Sequence, residues 1–491
     1  MNSTISATEL QRASSRIIPI RVRASSGSPH LLSESIDSAR EIFLVPMLDA
    51  FLLYAPLKGI ITLVSASAAE RLRSLFSSGI DRDFINRDPT LSFFDKQGLF
   101  QASTPDRAIF DKASERWKPV HVTFSTTQKC TLRCTYCYAE GGRLDDLDIP
   151  RSIAKAAIDL IISNAEELGE DPSINFLGEG EATASWGEFR WAIDYFRAEC
   201  KARSLSPFVE LSTNGVFPTS RIEYLSEVCT GITFSLDGLA NVHDKYRVLP
   251  NGKGSFDKVI RTMKAFDRHG KDYHVRSTVS REALSSLPEF IDFIGEATKC
   301  KNIQLEPIFD VTPVTALTTD IQHPDADDFI GSYRQAKQTA AKYGIEIYYS
   351  GADTTTKLAF CGTTSAKNFL VTARGIVTSC NEVLQPSDPR AELFQYGGWN
   401  ESSQSFEVDK GRIDKLGKLN PLDIEKCQGC IAKFNCAGDC YAKTAVANGD
   451  PWAPGYTYRC AITRQLLKDN LLLSLLSGEI GKLSTKQWLT C

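Results

Sequence analysis

Ten of the 14 cysteines in this 491-residue chain fall into two groups. The first is Cys130-Thr-Leu-Arg-Cys134-Thr-Tyr-Cys137; the second comprises Cys361, Cys380, Cys427, Cys430, Cys436, Cys440 and Cys460. The N-terminus lacks a basic segment followed by an apolar core and a small-residue cleavage site, so a cytoplasmic, reducing location is expected and a disulfide framework is not. Grouped thiolates then point to metal or cluster ligation. A four-iron cluster held by three cysteines keeps one iron open to a small chelator, whereas structural zinc closes with four ligands. CxxxCxxC taken alone fits either, with zinc drawing its fourth ligand from elsewhere. Cys200, Cys229, Cys300 and Cys491 are scattered, and the first three lie in or beside expected helices, where cysteine serves as a small buried hydrophobe.

The elements that must position the first group are six strand-like segments between residues 118 and 310: HVTFSTT, SINFLG, FVELST, GITFSLD, HVRSTVS and NIQLEPIF, separated by runs of helical period. Over residues 151–168, Ile153, Ala157, Leu160 and Ile161 share one helix face, and Pro150 suits the first turn. Apolar strands covered by such helices imply a parallel sheet of α/β class, curved as a partial (β/α)6 barrel like a TIM barrel, with chemistry at the C-terminal strand ends. Cys130, Cys134 and Cys137 follow the first strand at that end. Residues 1–40 are Ser-rich and expected to be poorly ordered. Residues 41–117 form a small α+β region, in which two apolar stretches (51–54 and 60–64) make a hairpin and 66–76 a helix. Residues 311–360 bridge to a cysteine-rich domain at 361–491 that ends in a helix.

CxxxCxxC with Tyr136 before its last cysteine resembles the signature of the radical S-adenosylmethionine superfamily. The resemblance implies that S-adenosylmethionine chelates the open iron through its amino and carboxylate groups. Reductive cleavage then gives a 5′-deoxyadenosyl radical that abstracts hydrogen, so Cys130, Cys134 and Cys137 are both metal ligands and catalytic. Further motifs follow in the family's order. Gly178-Glu179-Gly180-Glu181-Ala182-Thr183 is similar to the family's GGEP motif with Ala182 for proline, Ser212-Thr213-Asn214-Gly215 to its TNG segment, and His243-Asp244-Lys245-Tyr246-Arg247 to the HDxxR stretch of its peptide-modifying branch. By resemblance, Tyr136, Gly180, Glu181, Thr213, Asn214, Ser235, Asp237 and Arg247 contact the cofactor, Arg247 as a partner for a carboxylate. Arg276, Thr278, Gln304, Glu306 and Pro307 fall where family members face adenine or substrate, and Asp310 and Glu306 are candidates for the general base.

The second group, with Gly375 between its first two cysteines and Cys427-x2-Cys430-x5-Cys436-x3-Cys440 before Cys460, is similar to the SPASM domain, which carries two auxiliary iron–sulfur clusters. CxxC with two more cysteines is also zinc-ribbon grammar. The resemblance gives Cys361, Cys380 and Cys440 to an inner cluster and Cys427, Cys430, Cys436 and Cys460 to an outer one, making three clusters with the first, all of the 4Fe-4S type. The eighth cysteine of some members is absent from residues 362–367, so the inner cluster has an open iron or a noncysteine ligand.

A formal net charge of −4 gives no field for nucleic acid, and no apolar run approaches the roughly 20 residues of a membrane span, so neither is an expected partner. The expected activity is oxidative maturation of a ribosomally made precursor peptide, such as a side-chain crosslink, with flavodoxin or ferredoxin as electron donor. Formylglycine formation of the anaerobic sulfatase-maturase type is one alternative, and an inactive iron–sulfur scaffold is another. The segment at 41–117 is reminiscent of the PqqD-type module that pairs a leader peptide with its sheet edge; packing on the barrel alone is the other reading.

Overall fold

Six short strands with fully buried apolar residues line up in chain order as a parallel sheet: β5 (His121–Ser125), β6 (Ser173–Phe176), β7 (Phe208–Thr213), β8 (Gly231–Ser235), β9 (His274–Val279) and β10 (Asn302–Pro307). The computed structural model describes residues 35–477 apart from 38–40, 48–49, 104, 106, 108–109, 310–319, 365–367 and 454. Asp310, Cys491 and most of the segment expected to be poorly ordered lie outside the described residues. Val122, Phe124, Ile174, Phe176, Leu211 and Phe234 form the spine of the core.

Helices cover this sheet as the apolar periodicity requires. The helix Arg151–Leu168 buries Ile153, Ala157 and Ile161 as expected, but Ile158 and Ile162 complete its buried face while Leu160 stays half-buried. It stops at Gly169, whose φ of 66° and N–H to the Ala165 carbonyl make a left-handed cap. No described helix is long and apolar enough to cross a membrane.

The sheet does not end with the six barrel strands. β11 (Glu346–Tyr348) extends it beside β10, and β12 (Phe369–Thr372) runs parallel to β5, pairing Phe369 with Val122 through Thr372 with Ser125. β13 (Ile376–Thr378), β14 (Gln395–Asn400) and β15 (Ser405–Val408) continue it antiparallel into the cysteine-rich region. One sheet of 11 strands therefore crosses the boundary placed at residue 361. The last described helix, Tyr458–Ser477, is clamped on Ala326–Ala341 by a bidentate pair between Arg334 and Asp469, 2.7 and 2.9 Å.

The N-terminal region is a four-stranded antiparallel sheet rather than one hairpin: β1 (Ser35–Asp37), β2 (Ile42–Pro46), β3 (Ala50–Ala55) and β4 (Ile60–Ser65). One face, with Phe43, Val45, Leu52 and Tyr54, joins the main core; the other, with Leu44, Leu53 and Val64, is closed by the helix Ala66–Ser78 and by Leu91 and Phe94. Two buried polar contacts fasten it to the cysteine-rich region: Tyr54 donates to Asn435 Oδ1 at 2.7 Å, and Lys433 Nζ pairs with Glu41 Oε1 at 2.8 Å. Deleting residues 1–115 would strand Lys433 and Asn435, so point substitutions are the cleaner probe.

Tyr54→Phe leaves Asn435 without its donor, a loss of about 1–3 kcal/mol. Thermal denaturation should show a lowered first transition for Tyr54→Phe and an unchanged one for Leu63→Ala, since Leu63 is 44% exposed.

Candidate active site

At the C-terminal ends of the barrel strands lies a cavity of about 200 Å³, walled on one side by Cys130, Cys134 and Cys137. The loop carrying these cysteines is held from below. Glu181 N donates to the Lys129 carbonyl at 2.9 Å, and a methyl group on Gly180 would stand 2.2 Å from that same oxygen and 2.6 Å from the Thr127 carbonyl. Glycine is required here because two backbones touch.

Of the residues assigned to the cofactor, Tyr136, Gly180, Glu181, Thr213, Asn214, Ser235 and Arg247 line the cavity and Asp237 does not. Several also serve as brackets between loops. Both oxygens of the buried Glu181 carboxylate are taken: Oε1 by the Thr183 and Thr213 hydroxyls at 2.7 and 2.9 Å, Oε2 by Asn214 N at 2.8 Å. Asp237 stands behind the wall, accepting from the Tyr136 hydroxyl and, at 3.0 Å, from Thr278 N. Asn214 Nδ2 reaches Thr131 Oγ1 at 3.0 Å and Cys130 Sγ at 3.7 Å. The HDxxR stretch works likewise. His243 Nδ1 accepts from Asp237 N at 3.3 Å and Nε2 meets Ser255 Oγ at 2.9 Å. Burial first, then Arg247, holds this imidazole well below its ordinary pKa, and it stays neutral.

Arg247 has a free valence. Its Nη1 donates to Tyr136 Oη at 2.8 Å and lies 3.7 Å from Asp237 Oδ2, but its buried Nε has no partner among the described residues. Buried donors are rarely left unpaired, so this N–H, on a residue lining the cavity, suits the carboxylate of an incoming ligand. Arg276, Thr278, Glu306 and Pro307 line the cavity too, whereas Gln304 turns to Glu306 Oε1 at 2.9 Å. Glu306 is a poor general base: burial raises its pKa, but Arg459, Lys443 and Arg276 outweigh that and hold it at about 2.

Sequence reasoning missed the opposite wall. Glu382 and Lys443, 3.5 Å apart, and Phe309 close the cavity, the first two from the cysteine-rich region. Gln385 and Gln128 both donate to Glu179. No motif marks these positions; Phe309, Glu382, Gln385 and Gln128 are single residues in irregular loops, and Lys443 stands in the first turn of the short helix Tyr441–Asn448.

The remaining seven cysteines lie in the C-terminal region. Cys427, Cys430, Cys436 and Cys460 surround one cavity of about 30 Å³, together with Lys426, Lys433 and Arg464. Cys380 and Cys440 are pushed up in pKa by burial, then by Glu382, with Cys361 adding to both. Thr363 ties Cys361 toward Cys380: its hydroxyl accepts from Cys361 Sγ at 3.2 Å and donates to the Ser379 carbonyl at 2.7 Å. Burial also pushes Cys130 up to about 12 and Cys134 to about 11, so these thiols become thiolates only around a cationic centre. Lys426, Lys433 and Arg464 set positive charge beside the outer four cysteines, of which Cys427 and Cys436 are buried.

Comparison with known proteins agrees with this geometry. Residues 124–294 match the model of the Radical SAM superfamily. A cysteine-type anaerobic sulfatase-maturating enzyme of Clostridium novyi is 25% identical over 177 residues, 34% of this chain and 45% of that protein. The mycofactocin maturase MftC of Mycolicibacterium smegmatis is 30% identical over 176 residues, 35% of this chain and 41% of that protein. The chain thus spans less than half the length of these relatives. The solved structure of Streptococcus suis SuiB bound to precursor peptide SuiA is similar with a TM-score of 0.50 and 15% identity, covering 85% of this chain and 98% of that one. The chain carries a radical SAM domain, and its mostly parallel sheet is the fold of that superfamily.

Gly180→Ala forces a methyl into filled space at a cost of about 1–3 kcal/mol, which should weaken S-adenosylmethionine binding about tenfold or more. Equilibrium binding to the anaerobically reconstituted protein measures this, with Gly187→Ala, where nothing lies within 4 Å, unchanged.

Proposed function

For a chain built on a radical SAM domain, we propose oxidative modification of a ribosomally synthesised precursor peptide, held between the radical site and the auxiliary cysteines. The observation that carries this is the composition of the cavity. One wall is the CxxxCxxC loop; the other is Glu382 and Lys443, neighbours in sequence of Cys380 and Cys440. A substrate in that space touches both.

When bound, S-adenosylmethionine and a reduced cluster on Cys130, Cys134 and Cys137 supply a 5′-deoxyadenosyl radical that takes hydrogen from the substrate. The chain's own residues do the positioning. Arg247 offers its unpaired Nε to the cofactor carboxylate, and Ser235 and Thr213 add hydroxyls. Asn214 steadies Cys130 through its amide. Cys361, Cys380 and Cys440 would hold one auxiliary centre and Cys427, Cys430, Cys436 and Cys460 another, which would supply a sink for the electron that product formation releases. Flavodoxin or ferredoxin serves as donor, and the cytoplasm as location. The N-terminal sheet offers the edge strand β4 to a leader peptide, since β4 pairs with β3 alone among the described strands.

Formylglycine formation is the second reading, favoured by the likeness to the cysteine-type sulfatase-maturating enzyme. Mass spectrometry separates the readings. With reconstituted protein, dithionite, S-adenosylmethionine and the product of a short reading frame beside the gene, a peptide lighter by a pair of hydrogen atoms is expected together with 5′-deoxyadenosine. An aldehyde formed on a sulfatase-type peptide would select the second reading. Absence of 5′-deoxyadenosine from cluster-loaded protein would contradict both and leave an inactive scaffold.

A further inference from the structure

Arg459 is among the largest fully buried side chains, and it stands where three parts of the molecule meet. Its Nη1 lies 3.1 Å from Glu306 Oε2 on β10, its Nε 3.1 Å from Asp439 Oδ1, and its Nη2 3.4 Å from Ser350 Oγ. The guanidinium also sits 5.1 Å from the centre of the Tyr349 ring. Glu306 lines the radical cavity; Asp439 lines the outer cysteine cavity and lies in sequence between Cys436 and Cys440. Arg459 directly precedes Cys460. A carboxylate–guanidinium–carboxylate chain thus runs from the substrate wall to the junction of the two auxiliary cysteine sets.

Stability is a weak reason for such a chain. Replacing a buried ion triad with apolar residues is often neutral or stabilising, because desolvation offsets the attraction. Charge beside an iron–sulfur centre has a direct consequence instead. The reduction potential of a cluster follows local net charge and hydrogen bonding, and in a low-dielectric interior a charge acts over several ångströms. The two ion pairs hold the Arg459 charge between Glu306, which lines the radical cavity, and Asp439, which lines the outer cysteine cavity.

We propose that Arg459 is a positioning residue that, paired with Asp439, sets the reduction potential of the auxiliary centres, while Glu306 ties that setting to the wall of the substrate cavity. The inference rests on the assignment of clusters to the seven C-terminal cysteines, and that assignment is checked separately. A full-length variant lacking Cys130, Cys134 and Cys137 should still show auxiliary cluster signals by electron paramagnetic resonance. Their absence would remove the premise and with it the inference.

Redox titration followed by the same signals, on full-length Arg459→Lys, Arg459→Gln and Asp439→Asn proteins, tests the inference itself. Loss of a positive charge favours the oxidised cluster and loss of a negative charge favours the reduced one. Arg459→Gln should therefore move the auxiliary midpoint down, Asp439→Asn should move it up, and Arg459→Lys should leave it near the parent value. If Arg459→Gln does not fold, an upward shift in Asp439→Asn with Arg459→Lys unmoved supports the same conclusion. Shifts of the same sign in the Gln and Asn variants, no shift in either, or loss of auxiliary signals from all three variants would give Arg459 a purely structural role and overturn the proposal.

Discussion

The parallel pairing of β12 with β5 is the constraint on which the rest of the molecule depends. β5 delivers the CxxxCxxC loop from its C-terminal end, and β12 lies beside it in register from Phe369 and Val122 to Thr372 and Ser125. Cys361 precedes β12, and Cys380 follows the hairpin that β12 makes with β13. The hairpin itself turns at Gly375, whose φ of 76° is left-handed. All four residues of β12 are buried, Phe369 and Val371 in the main core and Leu370 against Ala139 and Leu384, so a one-residue slip would exchange two packed faces. The two cysteine regions, more than 200 residues apart in sequence, are thereby held on one sheet.

A second principle emerges from the polar residues around the cavity. Glu181, Asp237, His243 and Asp244 have the residue types of ligand contacts, yet their hydrogen bonds run mainly to neighbouring loops. Asp244, for instance, accepts from Ser255 N and Phe256 N at 2.7 and 2.8 Å and so starts the helix Phe256–Arg268. Buried carboxylates satisfied in this way are rigid, and rigidity of the strand-end loops is what fixes the geometry of a site drawn from the ends of all six barrel strands. Arg247, which lines the cavity, retains a buried Nε without a partner among the described residues.

Much of this was legible beforehand. Apolar runs of strand length located all six barrel strands, and the spacing of cysteines separated the two groups. The β5–β12 pairing was not legible, since a short buried run such as FLVT carries no record of which strand it joins. Two of the three N-terminal pairings escaped for a similar reason: β1 and β2 are three and five residues long and carry no turn signal strong enough to predict. At the site, a carboxylate that binds a ligand and one that brackets a loop have the same letter, so the bonds from Tyr136 and Thr278 to Asp237 were not legible. Glu382, Lys443 and Arg459 look like ordinary surface charges until the fold buries or assembles them.

The central proposal is that ten cysteines hold three separate iron–sulfur centres, the outer one in a cavity distinct from that of the substrate. Iron and sulfide determination with Mössbauer spectroscopy on anaerobically reconstituted protein tests it most directly. Full occupancy of three four-iron clusters corresponds to about twelve iron atoms per chain; loss of Cys130, Cys134 and Cys137 should remove about a third of them and leave the rest with unchanged spectra. Iron that disappears entirely in that variant, or a parent protein that holds a single cluster and zinc, would contradict the account.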